Sequence, residues 1–197
     1  MSIDCLTKTG KWWFLLKTDN MKKLTAQEMH RLSPEAFHEA EKVPLTVVLD
    51  NVRSLHNIGA VFRTADAFLI EHIILCGCCA TPPNQEMHKT ALGAELTVKW
   101  SYQKETLPVV EQLRQQGYQV YAVEQVEGSV SLNDFVPQGP TAVVLGHEVF
   151  GVNQQVVDAC NGAIEIPQFG TKHSLNVSVA AGIVLYDISS KLNNRMV

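Results

Sequence analysis

Short, uninterrupted apolar runs alternate with amphipathic stretches from Pro44 almost to the end of the chain. LTVVLD (Leu45 to Asp50) is rich in β-branched residues and has no polar alternation, the composition of a strand buried on both faces. HIILCG (His72 to Gly77), YQVYAVE (Tyr118 to Glu124), TAVVLG (Thr141 to Gly146) and AIEIP (Ala163 to Pro167) are further strands. Between the first two, Asn57 to Leu69 sets Ile58, Val61, Phe62, Ala65 and Phe68 on one helical face. TLPVVEQLRQQG (Thr106 to Gly117) reads as a helix closed by glycine. Two more helices are expected, near Asn153 to Cys160 and from Ser174 to about Asn193. Strands alternating with helices predict an α/β fold, a mostly parallel sheet with helices on both faces.

Ahead of this run, Ser33-Pro34 has the form of an N-cap followed by proline at the first helical position, opening a helix to about Lys42. The pattern therefore divides the chain near residue 43. Residues 1–43 form an N-terminal extension with a short helical arm, and 44–197 form the α/β domain. Met21 begins a self-contained start, MKKLTAQEMH, so residues 1–20 are expected to be dispensable or to precede the true start.

Composition narrows the class. At 197 residues, with 46% hydrophobic and 18% charged residues, the chain can bury a substantial core. No apolar run reaches about 18 residues, which argues against a membrane span, and WWFLL (Trp12 to Leu16) is too short for a signal-peptide core. Five cysteines are an odd number, and Cys76, Cys78 and Cys79 crowd together with no second Cys/His pair to complete a metal site. They read as small apolar residues at a strand end, in a reducing, cytoplasmic setting. The formal charge of -4 excludes a bulk polycation.

The chemistry concentrates where strands end, since ligands of open parallel sheets bind beyond the carboxyl ends of the strands. In LDNVRSLHNIGAVFRTADAF (Leu49 to Phe68), Asn51, Arg53, His56 and Asn57 lie between strand and helix, with Arg63 on the helix itself. In VVLGHEVFGV (Val143 to Val152), Gly146 permits close backbone approach and Glu148 is an acid in an apolar turn. Gly146 and Gly151 imitate a phosphate loop, but Val152-Asn153 stand where Lys-Ser/Thr would be needed. No GxGxxG is present, which counts against a dinucleotide crevice. In IEIPQFGTKHSLNVSVAAGIVLYD (Ile164 to Asp187), Lys172 and His173 precede Ser174, which on its own reads as an N-cap hydroxyl. Asn176-Val177-Ser178 matches a glycosylation sequon by chance.

Together these three segments resemble motifs one, two and three of the SpoU (TrmH-type) RNA 2′-O-ribose methyltransferases of the SPOUT superfamily. The likeness covers about Pro44 to Asp187, with SLNVSVA its most specific part. It implies S-adenosylmethionine as cofactor, a C-terminal trefoil knot and a homodimer in which motif residues of both subunits meet at the RNA. By motif position, Gly146, Ile166 and Leu175 would hold the cofactor. Arg63 would stand at the reacting ribose hydroxyl, with Asn57, Glu148, Ser174 and Asn176 completing the catalytic set. The chain departs from the family pattern at Gln168-Phe169, where Met often follows Ile-Pro, at Leu69, where Gly is common, and at His147.

The resemblance implies methyl transfer to a ribose 2′-hydroxyl, with transfer RNA favoured over ribosomal RNA. A non-catalytic RNA-binding knot protein would be expected to lose these polar residues, and a base methyltransferase is disfavoured by SLNVSVA with Asn57 and Arg63. The charge distribution then makes sense. Eight acids face Arg114 alone between Glu105 and Gly170, whereas Arg53, His56, Lys89 and Lys172 lie near the three motifs as candidate RNA contacts. A basic site on an acidic body is expected.

Overall fold

The computed structural model describes residues 22–25 and 27–193. The expectation for residues 1–20 lies outside the described residues. Among the described residues, seven strands form one sheet, all parallel, in the order β3-β2-β1-β6-β4-β7-β5. In chain order these are β1 (Val43–Asp50), β2 (Ile70–Cys76), β3 (Trp100–Gln103), β4 (Gln119–Val123), β5 (Val130–Ser131), β6 (Thr141–Leu145) and β7 (Gly162–Glu165). The helices are α1 (Pro34–Glu39), α2 (Leu55–Ala67), α3 (Gln85–Ala91), α4 (Ala94–Thr97), α5 (Thr106–Gln115), α6 (Gln154–Ala159) and α7 (Val177–Asn193).

The two-faced burial of β1 follows from the strand's period of two. Leu45, Val47 and Leu49 point to one face, where Ile58, Val61 and Phe62 of α2 pack with Val184, Leu185 and Ile188 of α7. Val48 points to the other, where Ile74 and Val144 meet Val109, Val110 and Leu113 of α5 and Val156 of α6. The helical arm joins the first core through buried Phe37, and the Ser33 hydroxyl caps α1 by accepting from the Ala36 N–H. Among the described residues, no helix is long and apolar enough to cross a membrane.

Two local features settle points left by the sequence. Leu69, at the position where the resemblance expects glycine, adopts φ 53°, a left-handed conformation that glycine takes without strain. The cysteine cluster caps the end of β2. Cys76 and Cys79 are buried, with burial pushing their thiols up to about 11 and about 12, and the same cause pushes Cys160 up to about 11. Cys78 is exposed. Brief alkylation of the native protein is therefore expected to label Cys78 and to spare Cys76, Cys79 and Cys160, as read by peptide mass mapping.

Candidate active site at the carboxyl edge of the sheet

Strands β1, β6, β4 and β7 are consecutive neighbours, so the loops leaving their carboxyl ends are gathered side by side. The β6–α6 loop opens with Gly146, whose missing side chain is required by packing. A Cβ there would sit 2.1 Å from the Gly151 carbonyl carbon and 2.2 Å from the Val152 nitrogen. The turn is tied by paired backbone bonds, His147 N–H to Gly151 O (3.0 Å) and Gly151 N–H to His147 O (2.8 Å). Gly151 has φ 67° and abuts Glu124, whose carboxylate accepts from the Val152 N–H at 2.8 Å. Glu124 had no signal in the sequence.

From this turn, Glu148 reaches across to the β1–α2 loop. Its carboxylate accepts from the backbone N–H groups of Ser54 (2.9 Å) and Arg53 (3.2 Å) and from the Asn57 side-chain amide (3.1 Å). Burial alone would raise this carboxyl, but the Ser54, Arg53 and Asn57 donors outweigh it and hold Glu148 below the usual carboxylate range. Asn57 is itself 9% exposed, and its amide oxygen accepts from the Asn176 amide at 3.2 Å and more weakly from the Ser178 hydroxyl at 3.4 Å. Three loops far apart in sequence thus close through one chain of polar contacts, Glu148–Asn57–Asn176.

Asn176, not Ser174, begins the last helix. Its side chain accepts from the Ser178 N–H at 2.9 Å, and α7 starts at Val177. The expected start at Ser174 is corrected by three residues, because an amide acceptor at Asn176 serves the first turn and leaves Lys172 to Leu175 as loop. Ser174 instead lines a cavity of about 530 Å³ together with Gly146, Ile166, Leu175 and Lys172. Leu145 and Ile164 form apolar wall, and Glu124, Glu148 and Glu165 place carboxylates around it. That volume falls in the range of small-molecule sites.

The other expected residues lie outside this cavity. Arg53 is exposed in the β1–α2 loop, and His56 and Arg63, seven residues apart, are exposed on one side of α2. Neither Arg53 nor Arg63 enters an ion pair among the described residues, whereas Lys89 is paired with Glu86 at 2.7 Å. Helices α2 and α7 run side by side in the same direction. Asn57 meets Asn176 at one end, and the Phe68 and Tyr186 rings lie 5.8 Å apart at the other, so Arg63 falls between these contacts. Buried Asp50, also missed in the sequence, accepts from the Asn153 N–H (3.1 Å), the Asn51 amide (2.9 Å) and the Thr106 hydroxyl, anchoring the far end of the β6–α6 loop.

Because hydrogen bonds depress the folded carboxyl of Glu148 below its unfolded value of about 4.3, its stabilisation is fully present above that pH. It is lost as pH falls through the depressed folded value. Glu148→Ala is expected to cost about 2–3 kcal/mol near neutral pH. The difference from the wild type should shrink in urea titrations repeated at progressively more acid pH.

Residues 44–186 match the SpoU rRNA Methylase family. The chain is 34% identical over 163 residues to the tRNA (guanosine(18)-2′-O)-methyltransferase of Thermus thermophilus, covering 81% of each chain. It is 32% identical over 154 residues to the 23S rRNA (guanosine-2′-O-)-methyltransferase of Pseudomonas aeruginosa, covering 78% of this chain and 62% of that one. Against several such curated relatives the chain spans about three fifths of their length. Among solved structures, the TrmH/SpoU tRNA modifying enzyme of A. aeolicus superposes with a TM-score of 0.73 at 27% identity, over 83% of this chain and 82% of that one. The rRNA methyltransferase of Sinorhizobium meliloti, solved with AdoMet bound, gives 0.71 at 27% identity, over 85% and 62%.

Proposed function

From the premise that this chain belongs to the SpoU methylase family, we propose that it is an S-adenosylmethionine-dependent RNA 2′-O-ribose methyltransferase acting on transfer RNA. The observation that carries this reading is the Glu148–Asn57–Asn176 network, joined to the 530 Å³ cavity through Glu148, which lines it. The 34% identity to the Thermus transfer RNA enzyme over 163 residues supports the choice of RNA.

The residues fit the cofactor. Ile164, Ile166 and Leu145 offer an apolar wall for a flat ring, while Glu124, Glu148 and Glu165 oppose a cationic group. When bound, S-adenosylmethionine supplies an electrophilic methyl group to the ribose oxygen. Gly146, Ile166 and Leu175 would hold it through backbone and apolar contacts, with Ser174 at its edge.

The chain's own residues then align and polarise. Glu148 is engaged by three donors and held in its ionised form, so it is a positioning residue and a poor proton acceptor. It fixes Asn57, which fixes Asn176, and the aligned set lowers the barrier chiefly by orientation. Guanidinium groups keep their proton in proteins. Arg63 is accordingly assigned to stabilise the developing alkoxide and to grip an RNA phosphate, the hydroxyl proton leaving to water.

The unpartnered side of α7 exposes Val179, Ile183 and Tyr186, an apolar strip suited to a second copy of the chain. A homodimer formed there would bring the partner's RNA-facing groups to the cavity. The passage of the chain from β7, beyond β4, back to α7 against β1 and α2 supports a knotted C-terminal segment. Deletion of the gene followed by mapping of 2′-O-methyl positions tests the reading. Loss of one transfer RNA position is expected, loss of a ribosomal position would correct the RNA class, and loss of none would reject the function.

A further inference from the structure

Val149 and Phe150 are apolar residues displayed to solvent at the tip of the His147–Gly151 turn, Phe150 being 83% exposed. The turn is held by its own contacts. The two backbone bonds between His147 and Gly151 close the turn, the Val149 N–H donates to His147 Nδ1 at 3.0 Å, and the His147 ring lies 4.9 Å from the Phe150 ring. On the side away from the cofactor cavity, the same turn walls a second cleft of about 560 Å³, lined by Asn51, Arg53, Cys78, His147, Phe150 and Asn153. His147, Phe150 and Gly151 line both spaces. The acid in this cleft, Asp50, is 2% exposed and already answered by three donors, so the open charge belongs to Arg53.

Resting on the reading of the site as an RNA methyltransferase, we propose that this second cleft holds an unpaired nucleotide neighbouring the methylated one, its base stacked on Phe150 and its phosphate on Arg53. An exposed aromatic beside a guanidinium is the arrangement that takes splayed bases of single-stranded RNA. The cleft also adjoins the polar network assigned to the ribose, since Glu148, two residues before Phe150, accepts from both the Arg53 N–H and the Asn57 amide. A second copy of the chain is a poorer occupant, because the continuous apolar strip it would need lies on α7.

The test uses labelled S-adenosylmethionine and RNA from the deletion strain, separated into transfer and ribosomal fractions. Phe150→Ala should raise the KM for RNA about 5- to 150-fold, the range of one lost base–aromatic stack. Because Phe150 also lines the cofactor cavity, cofactor affinity by calorimetry should fall by a smaller factor than the KM for RNA rises, and Phe150→Trp should restore RNA affinity. The salt dependence separates the two partners. Arg53→Ala should reduce the slope of log affinity against log salt by about one, while Phe150→Ala should leave it unchanged. Saturating RNA should also slow alkylation of Cys78.

An unchanged KM in Phe150→Ala, or an equal loss of cofactor affinity, overturns the proposal, as does Cys78 labelling that RNA leaves untouched. If the wild-type protein methylates neither RNA fraction, it is the underlying function that fails. That outcome is read before any variant is compared.

Discussion

Replacing Arg63 with alanine is expected to slow single-turnover methyl transfer by about 10²- to 10³-fold, the usual cost of removing a group that stabilises developing oxyanion charge. Cofactor binding should be unaffected, because Arg63 is not among the residues lining the cavity. Arg63→Lys should recover only part of the rate, since a point charge on a flexible stem lacks the planar fork that grips a phosphate. Near-normal turnover in both variants would remove Arg63 from the mechanism.

The second large effect is expected at Gly146. A methyl group there meets backbone atoms of Gly151 and Val152 at 2.1 to 2.3 Å, and neither can rotate away. Gly146→Ala should therefore open the turn, cost about 1–3 kcal/mol of stability and weaken S-adenosylmethionine binding at least about tenfold. Calorimetry and urea unfolding check these together. Gly170→Ala is the contrast, since a Cβ there meets no atom within 4 Å. The two defects also report on each other. If the chain dimerises and Arg63 serves the partner's cavity, mixtures of Arg63→Ala and Gly146→Ala subunits regain activity above that of either parent at limiting S-adenosylmethionine. If it serves its own, mixing restores nothing.

The parts of the fold legible in the sequence were those whose signal is local. β1, β2 and β6 announce themselves as unbroken β-branched runs, and the apolar face of α2 follows the helical period. By contrast, α3, α4 and β3 went unread. The stretch from Gln85 to Thr97 mixes polar and apolar residues without a sustained period, and β3 is a four-residue edge strand whose last two residues are exposed. Strand order is set by long-range pairing, so the placement of β6 between β1 and β4 had no local cue.

At the site, residue types were legible and their bonds were not. Glu148 stood out as an acid in an apolar turn, yet two of its three donors are backbone N–H groups that no side-chain pattern reveals. Asp50 and Glu124 were missed for the same reason, each accepting from a main-chain nitrogen on a distant loop. The last helix was expected to open at Ser174 because serine is a common N-cap. The better-placed acceptor was Asn176, two residues on, already tied to Asn57. Phe150 carried no signal in the sequence; its display to solvent follows from the turn that the His147 and Gly151 backbones close.

The polar chain from Glu148 through Asn57 to Asn176 has a further consequence, for the order of events in folding. Its bonds join residues 91 to 119 positions apart, so they can form only after the sheet has brought β1, β6 and β7 into register. Contacts of such long separation are the slow ones in folding, since long loops must close before the bonds form. Helices α2 and α5 can gain structure early from neighbours in sequence, but the site cannot. In refolding, recovery of cofactor affinity should therefore trail recovery of secondary structure, and ligand binding becomes a clock for completion of the native state.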